Sequence, residues 1–227
     1  MKNEKTITPI SGWFGILMML LCFALGVTGL LLGFALSYLL FAVGLLFLIG
    51  LVVVNHNESC VLIKFGHYLG TIKEHGFYWT NPMNNKKSVS LKPHSYTSEH
   101  IKVTDNIGNQ IIIGLVMEWK VEDTLKATFN VDDYMRYVAF QCDTALIKLA
   151  AHYPYDNYNK EKPVVTLVAG SDVVNKHLEQ ELRSRLHVAG IEVVEARLSY
   201  VAYATNTGEG KKKKGNGGKK KDHPHGK

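Results

Sequence analysis

The stretch that decides the architecture is WFGILMMLLCFALGVTGLLLGFALSYLLFAVGLLFLIGLVVV, residues Trp13–Val54. It lies inside a longer run, Thr6–Asn57, that contains no Asp, Glu, Lys or Arg. About 20 apolar helical residues cross the ~30 Å hydrocarbon core of a bilayer. The sequence therefore predicts two transmembrane helices joined near Gly29, Gly33 and Ser37, with a re-entrant hairpin as the alternative.

Seven apolar side chains are predicted to anchor this hairpin in the membrane: Trp13, Phe14, Leu20, Leu31, Leu39, Phe47 and Val54. A cleaved signal peptide is excluded because its apolar region has only ~7–15 residues and ends at small residues. No Asp, Glu, Lys, Arg or His lies inside the predicted spans, so the segment is an anchor and not a transport pathway. Basic residues flank both ends, which predicts that both termini are cytoplasmic.

The formal net charge of the 227-residue chain is +6, and it belongs to one segment. The tail Gly208–Lys227 has eight lysines and two acids, which accounts for the whole excess, so residues 1–207 are neutral. A nucleic-acid-binding core needs positive charge on a folded face, so that class of function is excluded for the body of the chain.

Between the anchor and the tail, the residue pattern predicts an α+β domain. Gln110–Val121 alternates apolar and polar residues, which indicates a strand with one buried face. Tyr96–Val103 is its predicted partner, and Ser59–Phe65 is a further strand. Helices are predicted from Asp132 or Asp133 to His152 and from Ser171 to Gly190, and a last strand at Ile191–Ala204 has a bulge at Val193-Val194.

Five stretches of this region together resemble the SPFH (band 7) domain family, which includes stomatins, prohibitins and flotillins: Val61–Gly66, Gly76–Pro82, Val103–Asn109, Ala150–Tyr155 and Ala189–Leu198. The resemblance covers residues 55–204 and is greatest for anchored bacterial members with an N-terminal hairpin. It divides the chain into a flank (1–12), the hairpin (13–54), a β-rich part (55–121), an α/β part (122–204) and a tail (205–227).

The resemblance implies a non-enzymatic scaffold of the bacterial inner membrane with a cytoplasmic domain. Such scaffolds form homo- or hetero-oligomers with other SPFH proteins, segregate lipids, or confine a membrane protease. By position, Phe77, Tyr78 and Trp79 correspond to the loop that touches the bilayer; the alternative is that they are strand core. Relatives continue after the last strand with a long assembly helix, whereas this chain continues into Gly and Lys. The second hypothesis is therefore an adaptor that binds longer relatives or a membrane protease and limits their assembly.

The tail is predicted to be disordered because a Gly- and Lys-rich segment has no apolar surface to bury. Contact with anionic lipid is one role for its lysines, and a solubilising tail or the product of a truncation is the other interpretation. RNA binding is disfavoured because no aromatic residue or arginine lies among the lysines to stack on bases. The lysines concerned are Lys211, Lys212, Lys213, Lys214, Lys219, Lys220 and Lys221.

The sequence predicts no catalytic, cofactor or metal site. Asp105 and Asp132-Asp133 lie where turns and helix starts favour aspartate. Ser171 lacks the Gly-x-Ser-x-Gly pattern of a nucleophile elbow. No Cys-x-x-Cys or His-Glu-x-x-His pair occurs, and the three separated cysteines are expected to be buried thiols.

Overall fold

The computed structural model describes residues 4–35, 37–156, 165–169 and 171–204. Its helices are α1 (Gly12–Leu31), α2 (Ser37–Ile49), α3 (Thr124–Phe129), α4 (Tyr134–His152) and α5 (Ser171–Leu186), followed by a 3₁₀ turn at His187–Ala189. Its strands are β1 (Ile10–Ser11), β2 (Leu51–Val54), β3 (Glu58–Lys64), β4 (His67–Ile72), β5 (Gly76–Trp79), β6 (Asn85–Ser90), β7 (His94–Thr97), β8 (Ile101–Thr104), β9 (Gln110–Val121) and β10 (Ile191–Tyr203).

The strands form three antiparallel sheets. The base sheet has the order β1-β5-β2 and joins the two ends of the helical hairpin. The middle sheet has the order β4-β3-β6. In the large sheet, β9 lies beside β10 on one edge and beside both β7 and β8 on the other. The mixed helix and sheet composition agrees with the α+β prediction.

The core of the α/β part lies between the large sheet and helices α4 and α5. The alternating residues of β9 from Ile111 to Val121 are at most 3% exposed. The apolar stripes of both helices face them: Val138, Cys142, Ala145 and Leu149 on α4, and Val174, Leu178, Leu182 and Leu186 on α5. Both helix predictions are therefore confirmed by the side chains that are buried.

Four local features refine the predictions. Asp133, and not Asp132, caps α4, because its Oδ1 accepts hydrogen bonds from the backbone N–H groups of Met135 and Arg136. The predicted bulge near Val193 is present, and a second register shift follows Leu198. The single strand predicted at 96–103 is in fact two strands, because the Ser98 hydroxyl accepts the Leu115 N–H (2.8 Å) between them. Helix α3 was not predicted, since six residues are too few to show a period.

The hairpin differs from the predicted pair of full spans. Helix α1 has 20 residues, is long and apolar enough to cross a membrane, and is buried only at Gly12, Gly15, Cys22 and Gly26. Helix α2 has 13 residues, so it is roughly 20 Å long at 1.5 Å per residue, which is short of a full span. The rest of the predicted second span, Leu51–Val54, is strand β2.

Small residues set the packing of the two helices. A Cβ added to Gly26 would lie 3.1 Å from the Phe41 ring, and one added to Gly44 would lie 3.1 Å from the Phe23 ring. The rings of Phe23 and Phe41 meet edge to face, with their centroids 5.5 Å apart. Close approach through glycine is the usual packing between helices in a membrane.

The segment before β1 is folded onto the domain. Ile7 N donates to Thr71 O (3.0 Å), and Thr71 N donates to Lys5 O (2.9 Å), so the segment lies along β4. Glu4 accepts a hydrogen bond from the Thr124 hydroxyl of α3 and forms an ion pair with Lys73. These contacts connect the N-terminal segment to both parts of the domain.

Substitution of Gly190 is expected to destabilise the fold more than substitution of Gly108. Both residues have positive φ (+70° and +99°), so alanine at either costs about 1–2 kcal/mol of unfolding free energy. A Cβ at Gly190 would also overlap the backbone oxygen of Asp123, whereas Gly108 has open space within 4 Å. We expect Gly190→Ala to lose a further ~1–3 kcal/mol. Denaturant unfolding in detergent, followed by circular dichroism, measures the free energy of unfolding of both variants. Equal losses in the two variants would contradict the overlap between a Cβ at position 190 and the Asp123 oxygen.

Candidate membrane interface

Strand β5 holds both ends of the hairpin. Trp79 lies opposite Ile10 of β1 on one side and opposite Leu51 of β2 on the other. Strand β1 runs directly into α1, and β2 follows α2 after one residue. The hairpin therefore leaves and re-enters the domain at the same place, and the N-terminal segment and the domain lie on one side of it.

Alternation along β5 directs its aromatic residues to opposite faces. The Phe77 ring packs against Gly12 and meets the Trp13 ring edge to face, with the ring centroids 6.0 Å apart. The Trp79 ring packs against Gly15 and stacks on the Phe47 ring, with the ring centroids 5.1 Å apart. Both rings therefore fill the space between the base sheet and the start of the hairpin.

Tyr78 points to the other face of the base sheet. There it packs on a small core cluster of four buried residues, Val54, Cys60, Leu62 and Ile72. The base sheet is therefore fixed to the middle sheet on one face and to the hairpin on the other.

Side chains from β5 and β6 satisfy the carbonyl end of α2. The last carbonyls of a helix have no partner within the helix, and in an apolar environment each unmet group costs several kcal/mol. Trp79 Nε1 donates to Phe47 O (2.9 Å), and Lys86 Nζ donates to Ile49 O (2.9 Å) and Leu51 O (3.1 Å). A cation at this end also interacts favourably with the helix dipole.

Lys86 is held in partly desolvated surroundings. Burial lowers the pKa of its amine, and the neighbouring Cys60 opposes that shift. Burial likewise raises the pKa of the Cys60 thiol, which keeps it protonated and unreactive.

The surface of the hairpin and the hairpin-side face of the base sheet both expose large apolar side chains. On the base sheet, Ile10 is 54% exposed and Val53 is 65% exposed. On the helices, Leu17, Leu21, Leu25, Leu45 and Leu48 are each about half exposed. Soluble monomers rarely expose such a continuous apolar patch, so this region is suited to contact with lipid.

A family model described as "SPFH domain / Band 7 family" matches residues 52–213, well over half of the chain. The chain belongs to this family. SPFH proteins are generally membrane-associated, non-enzymatic scaffolds that commonly form oligomers. A search of curated proteins finds none that matches the chain. The match begins inside β2, so the SPFH domain takes in the strand that follows the hairpin.

Six of the seven predicted anchor residues lie in the two helices. Trp13, Phe14, Leu20 and Leu31 belong to α1 and are 47–82% exposed, and Leu39 and Phe47 belong to α2. Val54 does not belong to the hairpin: it is 4% exposed, lies in β2 opposite Gly76, and packs in the small core cluster. Its burial inside the SPFH domain removes it from the lipid-facing set.

Phe77, Tyr78 and Trp79 form a strand and not a loop, and all three are partly buried. Two of them face the hairpin and one faces the domain core, and their contact with the bilayer stays a prediction. The seven tail lysines lie outside the described residues.

Sequence reasoning missed Lys86 and the N-terminal segment. Lys86 stands in an ordinary alternating strand, and its partners are 35 and 37 residues away, so no local pattern marks it. Glu4 contacts Thr124, which lies 120 residues further along the chain, so no pattern among neighbouring residues predicts this contact either.

The residues considered for chemistry serve the fold where the structure describes them. Burial alone would raise the pKa of Asp105, but hydrogen bonds from the Asn109 side chain and from the backbone N–H groups of Tyr155, Asn109 and Ile107 lower it. Burial raises the pKa of the Cys142 thiol to about 12, with a smaller effect from Asp143. Among the described residues, no three His, Cys, Asp or Glu side chains are placed to hold a metal ion.

Lys86→Met is expected to loosen the end of α2, since methionine keeps the apolar stem but leaves the carbonyls of Ile49 and Leu51 without this donor. Unmet carbonyls cost about 1–3 kcal/mol, so the free energy of unfolding should fall by that amount. Amide exchange of residues 47–54, followed by mass spectrometry in detergent, should become faster. Lys87→Met is the matched control, because Lys87 lies in the same strand and its side chain makes no hydrogen bond or ion pair to another described residue. An equal change in both variants would contradict the role of Lys86.

Asp105→Asn is expected to lower the free energy of unfolding by about 1.5–3 kcal/mol at neutral pH, because it removes charge-assisted hydrogen bonds. The folded-state pKa of Asp105 is lowered, so its contribution is fully present above the unfolded aspartate pKa and is lost as the pH falls through the folded value. The difference in the free energy of unfolding between wild type and Asp105→Asn should therefore disappear at acid pH. Asp132→Asn is the control, and its free energy of unfolding should change little. A difference between wild type and Asp105→Asn that does not depend on pH would refute the lowered pKa of Asp105.

Proposed function

We propose that this SPFH protein is a non-enzymatic membrane scaffold that self-associates and organises lipid microdomains or modulates a membrane protease or another membrane protein. One observation carries the proposal: β5 pairs with both legs of an apolar hairpin, so the hairpin can hold the domain against a bilayer. Ile10 and Val53 are exposed on the face of the base sheet that also carries Phe77 and Trp79, and they add to the apolar surface of the hairpin.

The charge around the hairpin supports a cytoplasmic domain. Residues 6–57 carry no charge, whereas Lys5, Lys64, Lys73, Lys86 and Lys87 lie before or after the hairpin. Short segments rich in lysine near a membrane favour the cytoplasmic side. Within this proposal, Phe77 and Trp79 lie at the level of the lipid headgroups, where aromatic side chains are favoured. The tail lysines would then contact anionic lipid at about 1 kcal/mol each near the surface.

A second candidate is an adaptor that binds longer SPFH relatives or a membrane protease and limits assembly. The observation that favours it is the sequence after Tyr203, Ala204-Thr-Asn-Thr-Gly-Glu-Gly followed by lysines, which lacks the heptad pattern of an assembly helix. Under this candidate, self-association is weak and association with a longer relative is strong.

Cross-linking of the full chain in native membranes, followed by size analysis, tests the proposal. We expect species larger than a dimer that persist when the membranes are fused with excess lipid, since dilution removes chance encounters. A strict monomer after cross-linking would overturn the scaffold. Recovery mainly as a complex with a longer SPFH protein would favour the adaptor instead. Flotation with lipid vesicles is the prior control for membrane association.

A further inference from the structure

A small cavity lies between helices α4 and α5, close to the residue at which α4 ends. Its volume is about 140 Å³, and its lining includes the apolar side chains of Leu149 and Leu178. Two histidines also line it: His152, the last residue of α4, and His177, in the second turn of α5. All of its lining residues belong to these two helices, so the cavity is separate from the base sheet and the hairpin.

The two histidine rings are separated by the distance that a shared metal ion requires. Their centroids are 5.4 Å apart and their planes meet at 83°. Zinc binds imidazole nitrogen at about 2.0–2.1 Å in tetrahedral geometry, which places the centroids of two liganding rings roughly 5 Å apart. The His152 ring is exposed and makes no hydrogen bond or ion pair with any residue that the structure describes, so it can turn to face the same point as His177.

Tyr153 fixes the orientation of the His177 ring. The Tyr153 hydroxyl and His177 Nδ1 form a hydrogen bond of 3.0 Å, which leaves Nε2 as the nitrogen available to a ligand. A histidine that binds a metal almost always has its other ring nitrogen bonded to a second group, because that bond selects the tautomer and holds the ring in place. His177 therefore has the surroundings of a metal ligand before any metal binds.

Another pair of histidines, His56 and His75, shows an arrangement that does not suit a shared ion. Their rings are stacked, with centroids 3.9 Å apart and planes inclined by 25°. The lone pair of an imidazole lies in the plane of its ring, so the lone pairs of stacked rings stay nearly parallel and do not converge on one ion. This pair therefore provides a matched control for the pair at the cavity.

The charges beside the cavity are compatible with a bound cation. Both carboxylate oxygens of Glu181 accept hydrogen bonds from Lys148 Nζ (2.8 Å each), and Arg185 Nε also donates to Glu181 Oε1 (2.7 Å). Glu181 is therefore already engaged and is not a ligand, but it offsets the charge of Lys148 next to the histidines. The cavity also lies beside the C-terminal end of α4, where the helix dipole favours positive charge.

We propose that His152 and His177 bind one divalent ion of the zinc class, with Tyr153 as a positioning residue and water in the remaining coordination positions. No three His, Cys, Asp or Glu side chains converge among the described residues, so the site supplies two protein ligands and keeps open positions for solvent. The bound ion cross-links the end of α4 to the second turn of α5. This inference goes beyond the proposed scaffold function and does not depend on it.

Zinc binding to the full chain in detergent, measured by isothermal titration calorimetry, tests this inference. The starting protein carries His223→Gln and His225→Gln, which removes two tail histidines that could bind metal by themselves. A control variant adds His56→Gln and His75→Gln and so removes the stacked pair. Circular dichroism of each protein without metal checks that it folds.

Three single substitutions in the starting protein probe the site. His152→Gln and His177→Gln each remove one ligand, and Tyr153→Phe removes only the positioning hydroxyl. We expect the starting protein and the control variant to bind one zinc ion per chain, and neither ligand variant to show saturable binding. Tyr153→Phe should bind zinc roughly tenfold more weakly. Mg²⁺ should not compete, because it prefers oxygen ligands.

Unchanged zinc binding in His152→Gln and His177→Gln, or its loss in the control variant, would overturn the inference. A second measurement needs no substitution: diethyl pyrocarbonate modifies accessible histidines, and mass spectrometry identifies which ones. Zinc should slow the modification of His152 and His177 and leave that of His56 and His75 unchanged. Equal rates at His152 and His177 with and without zinc would also overturn the inference, whether or not the variants fold.

Discussion

The pairing of one short strand with both legs of the hairpin is the constraint on which the rest of the structure depends. Strand β5 has four residues, yet it aligns β1 and β2, places Phe77 and Trp79 against α1, and presents Tyr78 to the domain core. Without it, neither end of the hairpin would be paired with a strand of the domain. With it, the orientation of the hairpin relative to the SPFH domain is set by ordinary sheet hydrogen bonds and by rings packed on glycine.

Burial and hydrogen bonding explain why the polar residues that attract attention in the sequence are structural. Asp105 accepts hydrogen bonds from the Asn109 side chain and from backbone N–H groups that include that of Tyr155, which lies 50 residues away. The thiols of Cys60 and Cys142 are kept protonated by burial. In each case the surroundings that shift the pKa of the group also remove it from solvent or occupy its lone pairs.

The features that sequence reasoning predicted correctly carry a local signal. The alternation of Gln110–Val121, the aspartate before α4 and the glycine at position 190 can each be recognised from a few neighbouring residues. The errors have a common physical origin. In Leu51–Val54 every residue is apolar, so helix and strand have the same pattern, and the distant partner β5 decides for strand. Lys86 and Glu4 depend on partners far along the chain, which local patterns do not encode.

The N-terminal segment has a consequence for the order of events during synthesis. Residues 4–11 are synthesised before the hairpin, but their partners in β4, β5 and α3 are synthesised only after the whole hairpin. The apolar helices are thus available to the membrane before the strands that fix their ends exist, and domains generally fold as units once complete. Residues 4–11 can therefore reach their final place only after the hairpin and the three partner elements have been synthesised.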